Sequence, residues 1–130
     1  MAGHACVKFN LGTKSIIAVA SGYSSHSVSG RIPDVEFLEI GSNNGWIKGP
    51  DLPVSLNQHN MVPTPDGQGV LVIGGDIGSD EVQDSIYQLK CTSTNLDSCF
   101  WITLEQKLKY AREAFVAMLI PDSLAQDLCQ

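Results

Sequence analysis

Apolar and polar positions along this chain fall into short runs, and the runs recur. "IIAVASGY" at 16–23 and "VLVIGGDI" at 70–77 are both apolar stretches that stop on small residues, Ser21 and Gly22 in one, Gly74 and Gly75 in the other. Each is followed by a polar loop and then by a run alternating with period two, "VEFLEI" at 35–40 and "SIYQLK" at 85–90, the pattern of half-buried strands. Ahead of each lies a strand candidate opened by a histidine, "HACVKF" at 4–9 and "HNMVPT" at 59–64. Behind each come a turn and a tryptophan, Trp46 and Trp101. His4 to His59 is 55 residues, Trp46 to Trp101 is 55 and Gly22 to Gly75 is 53, so the chain holds two copies of one unit, over 3–53 and 57–105. Each copy reads as four short strands, a to d. Asp66-Gly67 supplies a hairpin turn between a and b in the second unit, and Gly12 stands at the corresponding place in the first.

Histidine on strand a, a small pair closing strand b, an aromatic on strand c (Phe37, Tyr87) and tryptophan on strand d together resemble the kelch repeat. The first unit departs from the pattern, with Ser21-Gly22 where a kelch unit has two glycines. The resemblance covers residues 3–105 and implies an all-β fold: a kelch-type β-propeller fragment of two four-stranded antiparallel blades. It assigns Ser21, Gly22, Gly74 and Gly75 to close packing between blades, where a Cβ would be in the way. Trp46 and Trp101 become inter-blade packing residues, and His4 and His59 share one structural task. Propellers use four to eight blades, and a ring of this period needs roughly 300 residues, so the chain reads as a piece of a larger assembly. The remaining blades, or self-association, would then cover its open face.

The tail carries two conflicting patterns. Leu104, Leu108, Ala111, Phe115 and Met118 follow helical steps of four, three, four and three. Repeat register instead sets "FVAMLIPD" beside "HNMVPTPD", which predicts an extra or closing strand over 114–121. The strand is the reading adopted.

Charge and motifs narrow the function by exclusion. With 8 basic and 14 acidic residues the net charge is -6, and no Lys/Arg cluster stands ready for phosphates, so no nucleic-acid role is expected. No basic amphipathic segment or long apolar run points to a membrane, and no signal peptide is visible at the N-terminus. Of the four cysteines, Cys91 and Cys99 flank the polar turn "TSTNLDS". They are either joined across a hairpin or two reduced residues packed in facing strands. The bonded form would place the protein outside the cell, the reading preferred to a cytoplasmic one. His4 and Cys6 offer two metal ligands with no third, and no catalytic motif or paired carboxylate appears, so neither metal, cofactor nor enzymatic activity is expected.

What remains are loops. In a propeller the b–c and d–a connections share one face, and here they are long and polar: 23–34, 76–84 and the links near 50–57 and 105–112. Tyr23, His26, Arg31, Asp80, Glu81 and Arg112 are the candidate contacts. The resemblance implies a protein-protein interaction module, a scaffold or adaptor holding an unidentified protein partner. The alternatives are part of a propeller enzyme (an oxidase or sugar-isomerising type) and a structural extracellular repeat.

Overall fold

The computed structural model describes residues 3–24, 30–78 and 81–120. Among the described residues ten strands run in chain order: β1 (Ala5–Leu11), β2 (Lys14–Ala20), β3 (Val35–Glu39), β4 (Trp46–Lys48), β5 (Asn60–Pro63), β6 (Val70–Ile73), β7 (Asp76–Gly78), β8 (Glu81–Val82), β9 (Ile86–Cys91) and β10 (Cys99–Thr103). β1-β2-β3-β4 form one antiparallel sheet and β5-β6-β9-β10 a second, while β7 and β8 pair as a small hairpin in the loop after β6. Neither large sheet closes on itself, and the fold is all-β. The described residues contain no α-helix, only a 3₁₀ turn at Leu96–Ser98.

The registers of the two sheets superimpose. Cys6 pairs with Val19, Ile17 with Leu38 and Leu38 with Trp46. In the second sheet Met61 pairs with Val72, Val70 with Leu89 and Leu89 with Trp101. Lys8 therefore corresponds to Pro63, Ile17 to Val70, Leu38 to Leu89 and Trp46 to Trp101. This register corrects one landmark. Phe37 corresponds to Gln88, and Tyr87 to Glu36, so the two strand-c aromatics are one residue out of phase and point to opposite faces of their own sheets. Side chains alternate along a strand, so a slip of one residue exchanges faces.

Both aromatics nevertheless reach the same layer. The first sheet buries Phe9, Ile16, Ala18, Ala20, Val35 and Phe37 on one face, and the second buries Val70, Val72, Tyr87 and Leu89. These residues form one cluster with Leu52 and Leu56 of the link between the sheets. Phe9 and Phe37 meet edge to face with centroids 6.0 Å apart. Trp101 seals the layer by donating its indole N–H to the Pro50 carbonyl at 2.8 Å. Trp46 sits on the opposite, outward face of the first sheet, 50% exposed, and lies outside the layer between the two sheets.

Why strand b stops on small residues is visible in the backbone. Ser21 (φ 57), Gly22 (φ 113), Gly74 (φ 64) and Gly75 (φ 97) are all left-handed. A Cβ on Gly74 would lie 2.7 Å from the Arg112 carbonyl oxygen, and one on Gly75 would lie 2.8 Å from His59 Cβ. Ser21 makes use of its side chain. Its hydroxyl donates to the Ile32 carbonyl (2.6 Å) and accepts the Leu56 N–H (2.6 Å), tying the following loop and the inter-sheet link to the strand end.

The extra strand expected over 114–121 is not formed at 114–120, and residue 121 lies outside the described residues. The helical alternative over 104–118 is also absent. Leu104 donates to Ile86 (2.9 Å), and the N–H groups a helix would bond internally go elsewhere: Leu108 to Asp84 (2.8 Å), Arg112 to Gln83 (3.3 Å) and Ala114 to Gln58 (2.9 Å). Beyond Ala114 no neighbouring strand pairs with the segment among the described residues. The Asn60 side chain donates to the Phe115 carbonyl and accepts the Ala117 N–H at 3.2 Å, and this fixes the chain without making it a strand. Residues 104–114 repeat the course of the first link, where Gly49 donates to Val35, Leu52 to Pro33 and Gln58 to Gly3. Gly3, Gln58 and Ala114, with φ of 65, 55 and 51, are the matching left-handed residues.

Cys91 and Cys99 face each other across β9 and β10 and are bonded, closing the hairpin that carries the 3₁₀ turn. The Asn95 side chain caps that turn by accepting the Asp97 N–H at 3.0 Å. A loop of this length is worth about 2 to 3 kcal/mol through the unfolded chain. Adding dithiothreitol, or replacing both cysteines by serine, is expected to lower the unfolding free energy in urea by that amount with the far-ultraviolet spectrum retained. An unchanged urea midpoint would show that the bond contributes nothing.

Candidate functional site

The loops leaving the ends of β2 and β6 are tied together at one edge of the two sheets. In the first loop Tyr23 and Arg31 form an isolated antiparallel bridge, extended by Ser24 N–H to Gly30 C=O (2.6 Å) and Ile32 N–H to Gly22 C=O (3.1 Å). Gly30 is required at this place. Its φ is 81, and a Cβ would fall 2.0 Å from the Tyr23 ring, which lies over it. Tyr23 remains 49% exposed.

The second loop is the β7–β8 hairpin. Asp76 exchanges two backbone hydrogen bonds with Asn57 of the inter-sheet link, at 3.0 and 2.8 Å. Its carboxylate accepts the Gly78 N–H through Oδ1 at 2.6 Å and Arg31 Nη2 through Oδ2 at 2.8 Å. That ion pair is mostly shielded, with 25% and 12% of the two side chains exposed, and it bolts the first loop to the second. Burial opposes the Asp76 charge, but the Arg31 guanidinium and the Gly78 N–H outweigh it and hold the carboxyl below its ordinary range. The edge is therefore a fixed platform, with a phenol on the first loop, an ion pair joining the two loops and the exposed Glu81 on the hairpin.

His59 lies beneath this platform, 5% exposed and just ahead of β5 rather than within it. Its Nε2–H donates to the Ala20 carbonyl at the end of β2 (2.9 Å), which fixes the tautomer, and Nδ1 has no partner among the described residues. Burial pushes the imidazole down to about 4; the Ala20 bond pulls part of the way back, and nearby His4 adds a small push down. His4, also one residue ahead of its strand, is exposed.

Of the six residues expected to make contacts, the structure brings Tyr23 and Arg31 together and sets Glu81 on the adjoining hairpin. The exposed Arg112 side chain only reaches the Tyr110 carbonyl (3.5 Å); its position matters through its own carbonyl, which accepts the Gly75 N–H at 2.9 Å. His26 and Asp80 lie outside the described residues. Sequence reasoning passed over Asp76 and Asn57. Asp76 directly follows the glycine pair, but its partner is 45 positions away and nothing local marks it. Among the described residues no group of three His, Cys, Asp or Glu side chains is placed to hold a metal ion. No protein-family model matches this chain, and no curated protein matches it.

The lowered His59 value dictates a pH response. The unfolded imidazole titrates near 6.5 and the folded one near 4, so the neutral ring supports the fold above pH 6.5. That support drains away as pH falls toward 4. Urea unfolding at pH 4.5 is expected to show about 2 kcal/mol less stability than at pH 7, and His59→Gln should flatten the difference. A wild-type profile that is level across this range would rule out the buried neutral ring.

Proposed function

We propose that the chain is a pair of kelch-type β-propeller units acting as a protein-protein interaction module, which holds a protein partner on the edge formed by its b–c loops and inter-unit links. The observation that carries this reading is the Arg31–Asp76 ion pair, which joins loops from two successive units into one surface and leaves Tyr23 half exposed upon it. A tyrosine held over a glycine brings contact area at little ordering cost, which is the profile of an interface anchor. Loops on a rigid β-scaffold are a usual seat of recognition. The two sheets of equal strand number, matched in register and stacked through one apolar layer, support the propeller-unit reading. The Cys91–Cys99 bond favours an oxidising compartment, and with it an extracellular scaffold over a cytoplasmic adaptor.

The test compares proteins captured by the immobilised wild-type chain with those captured by Tyr23→Ala and by Glu81→Lys. Both variants should melt like wild type and retain a shared set of partners about tenfold less well. Capture that is undiminished in both folded variants would sink the loop-edge reading.

A further inference from the structure

The contact between the two sheets has two halves, and each half recurs unpaired on the outside of the molecule. By register, the second-sheet face that carries Val70, Val72, Leu89 and Trp101 corresponds to the outward first-sheet face that carries Ile17, Val19, Leu38 and Trp46. The first-sheet face that receives it, with Ala18, Ala20, Val35 and Ile47, corresponds to the outward second-sheet face with Leu71, Ile73, Ile86 and Ile102. Ile17, Val19 and Leu38 are only half-buried on one side, as are Leu71, Ile73, Ile86 and Ile102 on the other.

We propose that a second copy of this chain docks head to tail, setting the outward face of its first sheet on the outward face of the second sheet. The decisive fit is at the tryptophan. Trp101 reaches the Pro50 carbonyl inside the chain. Because Gly49 and Leu104 make matching bonds to Val35 and Ile86, Glu105 stands where Pro50 does. An incoming Trp46, now 50% exposed, meets the Glu105 carbonyl there. The same spot holds a groove of about 540 Å³ lined by Leu71, Gln88, Leu104 and Gln106. The groove exists because Thr64 and Gln88 occupy the positions that Phe9 and Phe37 fill on the first sheet.

Two features moderate the contact. Lys8, Glu36 and Cys6 replace the Pro63, Tyr87 and Met61 of the internal half, so it is weaker than the internal one. The incoming Gly3 and His4 also take the places of Ala114 and Phe115, so residues 114–120 have to lift from the sheet. The Asn60 side chain that clamps Phe115 and Ala117 therefore acts as a latch against docking. A head-to-tail contact of this kind closes into a ring where its rotation permits, and otherwise extends as a chain. The sheet registers supply the geometry.

The experiment is light scattering of the full chain over a concentration series up to on the order of 100 μM, with Trp46→Ala and Asn60→Ala alongside. Wild type should gain mass with concentration, levelling at two, three or four times 14.0 kDa where the ring closes and growing further where it does not. Trp46→Ala should abolish the gain, and Asn60→Ala should shift it to about tenfold lower concentration. Wild type remaining at 14.0 kDa throughout, or association indifferent to Trp46→Ala, would overturn the proposal. Weaker association in Asn60→Ala would also overturn it, because the tail would then be supporting the contact rather than blocking it. Circular dichroism confirms that each variant is folded, and none of these readouts depends on the loop residues.

Discussion

Two backbone N–H groups hold the architecture in place. Gly22 donates to the Leu56 carbonyl at 2.8 Å and Gly75 to the Arg112 carbonyl at 2.9 Å. Each bond joins the end of a central strand to the link that leaves its own sheet, at a point where the strand-end backbone has turned left-handed. That turn carries the chain away from the strand direction and adds a strand-end anchor to those the link already makes at Val35 or Ile86. Conformations of this kind cost of order 1 kcal/mol or more for a residue with a side chain. Three of the four positions avoid the cost by being glycine, and Ser21 offsets it with a hydroxyl bonded on both sides. The loop edge inherits its rigidity from here, since both loops emerge from these pairs.

Strand order and sheet membership were legible because the relevant signals are local. Alternation in "VEFLEI", the Asp66-Gly67 hairpin and the small pairs after each apolar run each report on a few neighbouring residues. The misplaced landmark shows the limit. Aligning Phe37 with Tyr87 by residue type is off by one against the pairing of Leu38 with Trp46 and Leu89 with Trp101, and register is a property of partners. The tail shows a second limit. Its helical spacing is real, but its N–H groups find carbonyls elsewhere in the chain, and a strand there needs a neighbour that the described residues do not contain. Among the candidate contacts, Tyr23 and Arg31 stood out in the sequence because both belong to one polar loop. Asp76 was not, because what defines it is a guanidinium from the other unit.

The two units are alike in backbone and unlike in filling. Phe9 and Phe37 give the first sheet a thick inner face with ring-on-ring contact, and a Cβ on Gly49 would press against the Phe37 ring at 2.7 Å. Thr64 and Gln88 leave the matching face of the second sheet thinner and more polar. The second unit instead has a disulfide in the hairpin after β9, at a place where the first has no counterpart: Cys6, the other described cysteine, is unpaired and exposed. One repeat is stabilised by aromatic packing and the other by a covalent clamp.

The connectivity of the large sheets has a kinetic meaning. Within each, every strand pairs with the strand before it or after it in that sheet, so each is a meander built from contacts near in sequence. Pairing of this sort is entropically cheap and fast, whereas the apolar layer between the sheets joins residues as far apart as Phe9 and Leu89. Loop-closure entropy thus makes pairing within each meander cheaper than assembling the layer between them. Ser21, by bonding the link at Leu56, closes the intervening chain into a loop of 35 positions, so part of the entropy of bringing the sheets together is met by one buried hydroxyl.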